Sequence, residues 1–430
     1  MKVARPATVF TSVSMVILVA TSFVWGRRVQ LDERVKLGAA PLVGAWRWRP
    51  SLGTVLPVVV GAIGVVLLPR VVARARFWIA VASTSLLATA FTLALAASDG
   101  WAHVLDPVIH PTEYWANLAT LPPASTMLHH YGTVDFLLNY SVHAKGHPPA
   151  FLLLLKALAS LGLGHPWVAG ALSYIGVAVL PAAVMVTVRS VASATIARGS
   201  APYLALAPYA VWMGTSADAF YTAVAATGVA SLIVGLRSTS VLRRRLGALI
   251  GGLLLGFGLF LTYGFVPFLA LPVVFAVASR VPRRALAESA VIAAIGAAVV
   301  TVAFRLTGFW WFDGLRTTKQ FYWWGTAHFR PWRYFLVGNL GVSLLAIGPV
   351  IWIAIASLRT KAVWWIVGAG ILCIAIADLS QYSKGEVERI WLLFFPWLIP
   401  AAGALRPRRA RLAVHAGVAV VLQTWLVSKW

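Results

Sequence analysis

Between residues 98 and 148 a chain that is otherwise mostly apolar turns polar. This stretch carries Asp99, Asp106, Glu113 and Asp135 together with six of the nine histidines. Carboxylates and imidazoles gathered at a membrane surface are the groups needed to move a proton or to hold a cation. Asp99-Gly100-Trp101 opens the stretch, Glu113-Tyr114-Trp115 follows a proline, and Lys145-Gly146-His147-Pro148-Pro149 closes it. Any one of these acids could simply hydrate a loop, and Trp101, Tyr114 and Trp115 suit an interfacial aromatic belt. The gathering of acids is what points to chemistry.

Two further constellations accompany it. Asp218 lies between two apolar runs with no basic neighbour in sequence. An unpaired carboxylate costs about 2.5–3.5 kcal/mol at the centre of a membrane helix. It is therefore either a hydrated helix end or a ligand for a cation or a sugar hydroxyl. Residues 309–334 set Asp313, Arg316, Lys319, Arg330 and Arg333 among aromatic side chains, and residues 378–391 crowd Lys384, Glu386, Glu388 and Arg389 together. Arginine and lysine donate charge-assisted hydrogen bonds to phosphate oxygens, while indole and phenol faces suit sugars or a lipid chain. The same composition also fits an interfacial amphipathic helix with Arg–Glu pairs. His143 and His147 stand four apart, but Gly146 and Pro148 argue against a helix there and so against a histidine metal site. The chain has no P-loop, no dinucleotide-binding glycine fingerprint and no HExxH motif.

The elements that must hold these groups are membrane helices. Of the 430 residues, 60% are hydrophobic and 11% charged, and the mean hydropathy is +0.83; a soluble domain has roughly a quarter of its residues charged. A membrane helix needs about 20 apolar residues, and such runs follow one another from end to end. The expectation is an all-α, single-domain polytopic bundle over residues 1–430. Cys373, the one cysteine, lies in an apolar run, so no disulfide forms within the chain.

With a cytoplasmic N-terminus and an uncleaved first helix near 8–26, further spans fall near 53–69, 77–97, 166–188, 201–217, 219–236, 246–261, 265–279, 289–306, 334–357, 363–379, 390–405 and 412–428. That is roughly thirteen crossings. The stretch 149–163 is too short to span and contains Lys156, and is expected as a re-entrant or interfacial helix started by Pro148-Pro149. On this threading Lys2, Arg5 and the arginine-rich turns at 70–76, 189–198, 237–245, 280–284, 359–361 and 406–411 are cytoplasmic, as the positive-inside rule asks. The net charge of +24 thus reflects topology and not nucleic-acid binding. Loop 27–52, with six basic residues, runs against the rule. Of twelve acids only Glu288 is cytoplasmic. The working face, with 98–148, 307–333 and 379–389, is extracytoplasmic.

The ordered set DGW, TEYW, KGHPPA, SADAFY, GFWWFDGL and KGEVERIW, over about residues 98–400, resembles the GT-C class of membrane glycosyltransferases. More narrowly, it resembles an actinobacterial family within that class. The resemblance implies sugar transfer from a polyprenyl-phosphate donor to a glycan, lipid or protein hydroxyl in the cell envelope, by one inverting displacement at the outer face of the plasma membrane. It implies Glu113 as general base, with Asp99 and then Asp106 as alternatives. Asp218 and His147 would orient the acceptor or a cation. Lys384, Arg389 and Arg316 would bind phosphate, with Tyr114, Asp313, Glu386 and Glu388 completing the site. The wider class often has paired acids in the first loop; here Thr112 precedes Glu113, which leaves open both the base and the need for a divalent cation. A transporter or lipid flippase is the competing reading, expected to show mid-helix acids or inverted repeats; a non-catalytic scaffold is a third.

Overall fold

The computed structural model describes residues 5–214, 216–405 and 408–428; the basic residues Lys2 and Arg406 lie outside the described residues. The molecule is an all-α polytopic bundle. Among the described residues, eight helices are long and apolar enough to cross a membrane: Val9–Val29, Leu52–Arg74, Phe77–Asp99, Pro166–Val191, Asp218–Leu236, Val241–Leu261, Arg283–Leu306 and Lys361–Leu379. A ninth forms if Trp332–Ile347 and Pro349–Ala356, bent by 101°, are one span. The bend falls at Gly348, whose φ of 79° places it in the left-handed region, directly before a proline.

Four other runs threaded from the sequence fold as shorter or broken helices. The run 201–217 ends the helix Ala194–Ala205 and then tightens into a 3-10 turn at Pro208–Trp212. The run 265–279 splits into Phe265–Phe268 and Ala270–Ala278. The run 390–405 is a chain of short turns carrying Pro396 and Pro400, and 412–428 becomes the helix Arg409–Trp425 followed by a short strand. Proline removes a backbone donor and clashes with the preceding turn. The freed carbonyls are tolerated because residues 391–402 are buried in protein, away from lipid. Hydropathy sees only the apolar run, which is why the threading counts more helices than the fold has.

Helices Asp218–Leu236, Val241–Leu261 and Arg283–Leu306 pack through small residues. A Cβ at Gly252 would collide with the Ala293 carbonyl oxygen, so only glycine permits that approach. The short helix after the first loop, Ala150–Leu158, continues as a π turn through Leu163; Lys156 donates to the Leu121 carbonyl at 3.2 Å.

Polar loops and arginine turns separate to opposite ends of the bundle. At one end Arg49 pairs with Asp99 at 3.0 Å, Arg330 donates to the Val35 carbonyl at 3.0 Å and pairs with Glu386 at 3.2 Å, and Tyr322 donates to the Gln381 carbonyl at 2.8 Å. Loops 27–52, 98–148, 309–334 and 378–391 therefore form one continuous polar cap. At the other end Arg198 donates to the Val72 and Ala75 carbonyls, and Arg244 and Arg245 grip Glu288. In loop 27–52, Arg34 and Arg49 are paired with Asp32 and Asp99.

The cap is ordered by its own apolar cluster. Met127, Leu128, Tyr131, Leu137, Phe151 and Phe309 are buried together beneath the first loop. Outside the hydrocarbon, burial of such side chains stabilises by about 1.5–3 kcal/mol each. A long loop becomes a folded lid.

Candidate active site

The first loop positions Glu113 by stitching its two ends together. Asn117, buried, donates to Ser141 Oγ at 2.7 Å and accepts from the Ser141 amide at 2.7 Å. Ser141 Oγ accepts from the Ala144 amide, capping the one-turn helix Val142–Gly146. The His143 amide donates to the Thr112 carbonyl at 3.1 Å, and Tyr131 donates to the Ala144 carbonyl at 2.9 Å. These bonds put His143 directly across from Glu113. The helix stops at Gly146 and His147 is extended (φ −135°, ψ 157°), as the residue before a proline prefers. A helix thus forms where Gly146 and Pro148 argued against one, because it needs only a single turn.

Glu113 is 5% exposed, and its Oε1 lies 2.9 Å from His143 Nδ1 and 3.7 Å from Arg389 Nη1. The same Arg389 Nη1 is 3.4 Å from Asp218 Oδ2, and Arg389 Nη2 is 2.7 Å from His143 Nε2. Asp218 opens the helix Asp218–Leu236, where the helix dipole favours a negative charge, and it accepts from Ser216 Oγ at 2.6 Å. The carboxylate with no basic neighbour in sequence has one in space. One guanidinium holds two carboxylates and an imidazole that come from three separate segments.

Burial raises the Glu113 carboxyl to about 7, against the pull of the Arg389 charge. Burial and the same guanidinium push His143 down to about 3; burial, with His143 and Arg389 beside it, brings His147 to about 4. Both rings are therefore neutral at physiological pH. Tyr114 stacks on His143 with centroids 5.8 Å apart and packs edge-on against His147 and Phe151. Glu113 and Tyr114 line a narrow cleft with Val108, Trp115, Phe151 and Leu155. The Glu113 carboxyl is thus dry and poised near neutral pH.

Comparison of the sequence with protein-family models and with curated proteins gives no match. Among solved structures the chain is similar to the crystal structure of ArnT from Cupriavidus metallidurans in the apo state, at 18% identity and a TM-score of 0.43. The similarity covers 73% of this chain and 61% of that one, so the chain spans less than two thirds of that protein's length.

The 378–391 segment aims Arg389 through a second buried clamp. Asn339 donates to Asp378 Oδ1 at 2.8 Å and to the Ser383 carbonyl at 2.6 Å, and accepts from the Gly385 amide at 3.2 Å. Gly385 and Glu386 both have positive φ, 84° and 61°; the left-handed Glu386 is strained and is held there by Arg330. Lys384 is spent locally, donating to the Ala327 carbonyl at 3.3 Å with its ammonium 4.4 Å from the Trp323 ring centre. Glu388 is fully buried, which raises its carboxyl to about 7.

Four sequence candidates lie apart from this cluster. Asp99 pairs with Arg49, exposed Asp106 with His103 at 2.7 Å, and Asp313 with Arg316 at 3.1 Å on the exposed face of the helix Trp311–Trp324. Sequence reasoning passed over Ser216, Asn117 and Asn339, and weighed His143 only as a metal ligand. His143 alone carried a signal, its place four residues before His147; the others are ordinary loop or helix polar residues until the fold buries them.

Proposed function

We propose that this protein is a GT-C-type glycosyltransferase that moves a sugar from a polyprenyl-phosphate donor to a hydroxyl acceptor at the extracytoplasmic face of the plasma membrane. The single observation that carries the reading is the buried Glu113–Arg389–Asp218 cluster beside the cleft at the polar end of the bundle. The motif resemblance through KGHPPA, SADAFY and KGEVERIW agrees with it, since these segments supply His143's neighbour His147, Asp218 and Arg389.

In the proposed reaction an acceptor hydroxyl oxygen forms a bond to the anomeric carbon while the bond from that carbon to the phosphate oxygen breaks. The hydroxyl proton passes to Glu113, and the lipid phosphate leaves with the electron pair. One displacement inverts the anomeric centre. Glu113 is suited to the task because its contacts to His143 and Arg389 use Oε1 and the side chain borders the cleft. Arg389 is the nearest positive charge to the reaction centre and opposes the charge that develops on the leaving phosphate. Arg316, whose side chain is largely exposed on the cap, can turn from Asp313 to a donor phosphate. Asp218 holds Arg389 and faces the acceptor side, and Tyr114 and Trp115 exclude water.

Among the described residues the acids other than Glu288 gather with Arg389 at one end of the bundle, which favours an enzyme over a transporter or flippase with a mid-membrane pathway. The test is to offer purified protein in lipid vesicles a panel of radiolabelled polyprenyl-phosphate sugars. Release of polyprenyl phosphate with label moving to an acceptor fraction is expected. Movement of intact labelled lipid between leaflets without cleavage would establish the flippase reading instead.

A further inference from the structure

His143 is a buried imidazole for which the displacement has no assigned use, and its surroundings fix which nitrogen carries the proton. Arginine cannot accept a hydrogen bond or lose its proton in a protein. Arg389 Nη2, 2.7 Å from His143 Nε2, is therefore the donor, and Nε2 offers its lone pair. In a neutral ring the proton is then on Nδ1. That N–H is buried, and the polar atom within reach is Glu113 Oε1 at 2.9 Å, off the ideal line. An unsatisfied buried N–H is costly, and catalytic hydrogen bonds that are bent in an empty site commonly straighten when substrate enters.

Resting on the transferase reading, we propose that His143 is a positioning residue. Locked in the Nδ1–H tautomer by Arg389, it donates to Glu113 Oε1 and turns the other carboxylate oxygen toward the acceptor hydroxyl. A directional chain runs from Arg389 through His143 to Glu113. The imidazole has no lone pair left to serve as the base itself. It also answers the broken acid doublet: where two adjacent acids would share the task, a histidine from the far end of the same loop supports one.

The other charged and titratable groups around Glu113 are Arg389 from the 387–390 turn, Asp218 from the head of its helix, and His147 and His110 from the first loop. They are unchanged in the two variants that isolate the His143 donor. In His143→Asn the amide N–H can occupy the Nδ1 position and keep the bond to Glu113. In His143→Gln the amide reaches the Nε2 position, where its oxygen can accept from Arg389, and the donor to Glu113 is lost.

Each variant is purified in lipid, and the Glu113 carboxyl is titrated by its infrared C=O stretch, assigned as the band missing in Glu113→Gln. Expected is a midpoint in the Asn variant close to that of the unsubstituted protein. In the Gln variant it should move toward alkaline pH by about one unit, the worth of one charge-assisted hydrogen bond, and the acid limb of the transfer rate should follow. Equal midpoints in the two variants would reduce His143 to packing and overturn the proposal. Loss of all transfer in both, with Glu113→Gln still active, would make His143 the base and overturn it as well. The infrared midpoints need no substrate, so the forecast order in a protein that transfers no sugar would sustain the tautomer and contradict the transferase reading alone.

Discussion

Arg389 Nη2 meets His143 Nε2 at 2.7 Å, joining two loops that lie 246 residues apart in sequence. Through the same guanidinium the contact extends to Glu113 and Asp218. Both ends of the contact are almost fully buried, so the polar cap is built around a charge cluster that solvent screens little.

Removing Arg389 leaves two carboxylates facing each other without a counter-charge. Breaking a buried pair this way typically costs about 3–5 kcal/mol. Arg389→Ala should therefore lower the thermal unfolding temperature and yield in membranes as well as transfer. Arg389→Lys should recover part of the stability, because the charge remains, and little of the activity, because one ammonium cannot reproduce the fork toward His143. Thermal unfolding of the two variants, followed by intrinsic fluorescence, checks the order.

The Arg389 guanidinium lies between Glu113 and Asp218, where a bridging divalent cation would otherwise balance them. Transfer should persist after exhaustive chelation and dialysis. An activity lost to chelator and restored by one divalent ion would contradict this.

Glu388 gives a stability prediction with a definite sign. Its folded carboxyl is raised to about 7 by burial, so the folded state holds a proton that the unfolded chain releases at lower pH. Stability from that proton is complete below the unfolded value near 4.5 and declines as pH rises through about 7. Glu388→Gln keeps the shape without the ionisation. It should unfold at higher temperature than the unsubstituted protein at pH 8, by an amount on the order of 3 kcal/mol, with the gap closing by pH 5. A constant gap across that range would show that Glu388 does not titrate there.

The all-α membrane bundle was legible because apolar runs are a composition signal, and the two polarised ends were legible because arginine turns alternate with bare ones. The number of spans was not. Runs such as 390–405 are as apolar as a true span, yet their prolines force short turns that only burial in protein permits. Asp218 could be singled out as a charge between apolar runs, and Glu113 and Arg389 by the polar clusters they sit in. Their meeting could not, because no local pattern links residue 113 to residue 389. Asp99 and Asp106 stood in sequence as alternatives to Glu113; the difference in the fold is the Asn117–Ser141 stitch, which buries Glu113 and leaves the others to surface partners.

Single cysteines introduced into a Cys373→Ser background test the two-ended arrangement. Positions 103 and 316 on the cap should react with an impermeant reagent added outside intact cells. Position 284, beside the Arg245–Glu288 groove, should be protected until the membrane is opened. Protection at 103 and 316 would reverse the orientation of the site.

The most direct measurement compares sugar transfer by Glu113→Gln and Asp99→Asn in lipid, alongside donor binding. A positioned base is worth about 10²–10⁴ in rate, so Glu113→Gln should lose that factor while binding donor nearly normally. Asp99→Asn breaks only a partly exposed ion pair with Arg49, worth roughly 0–1 kcal/mol, and should transfer at close to the unsubstituted rate. An active Gln variant beside a dead Asn variant would move the base to Asp99 and leave the buried cluster as scaffolding.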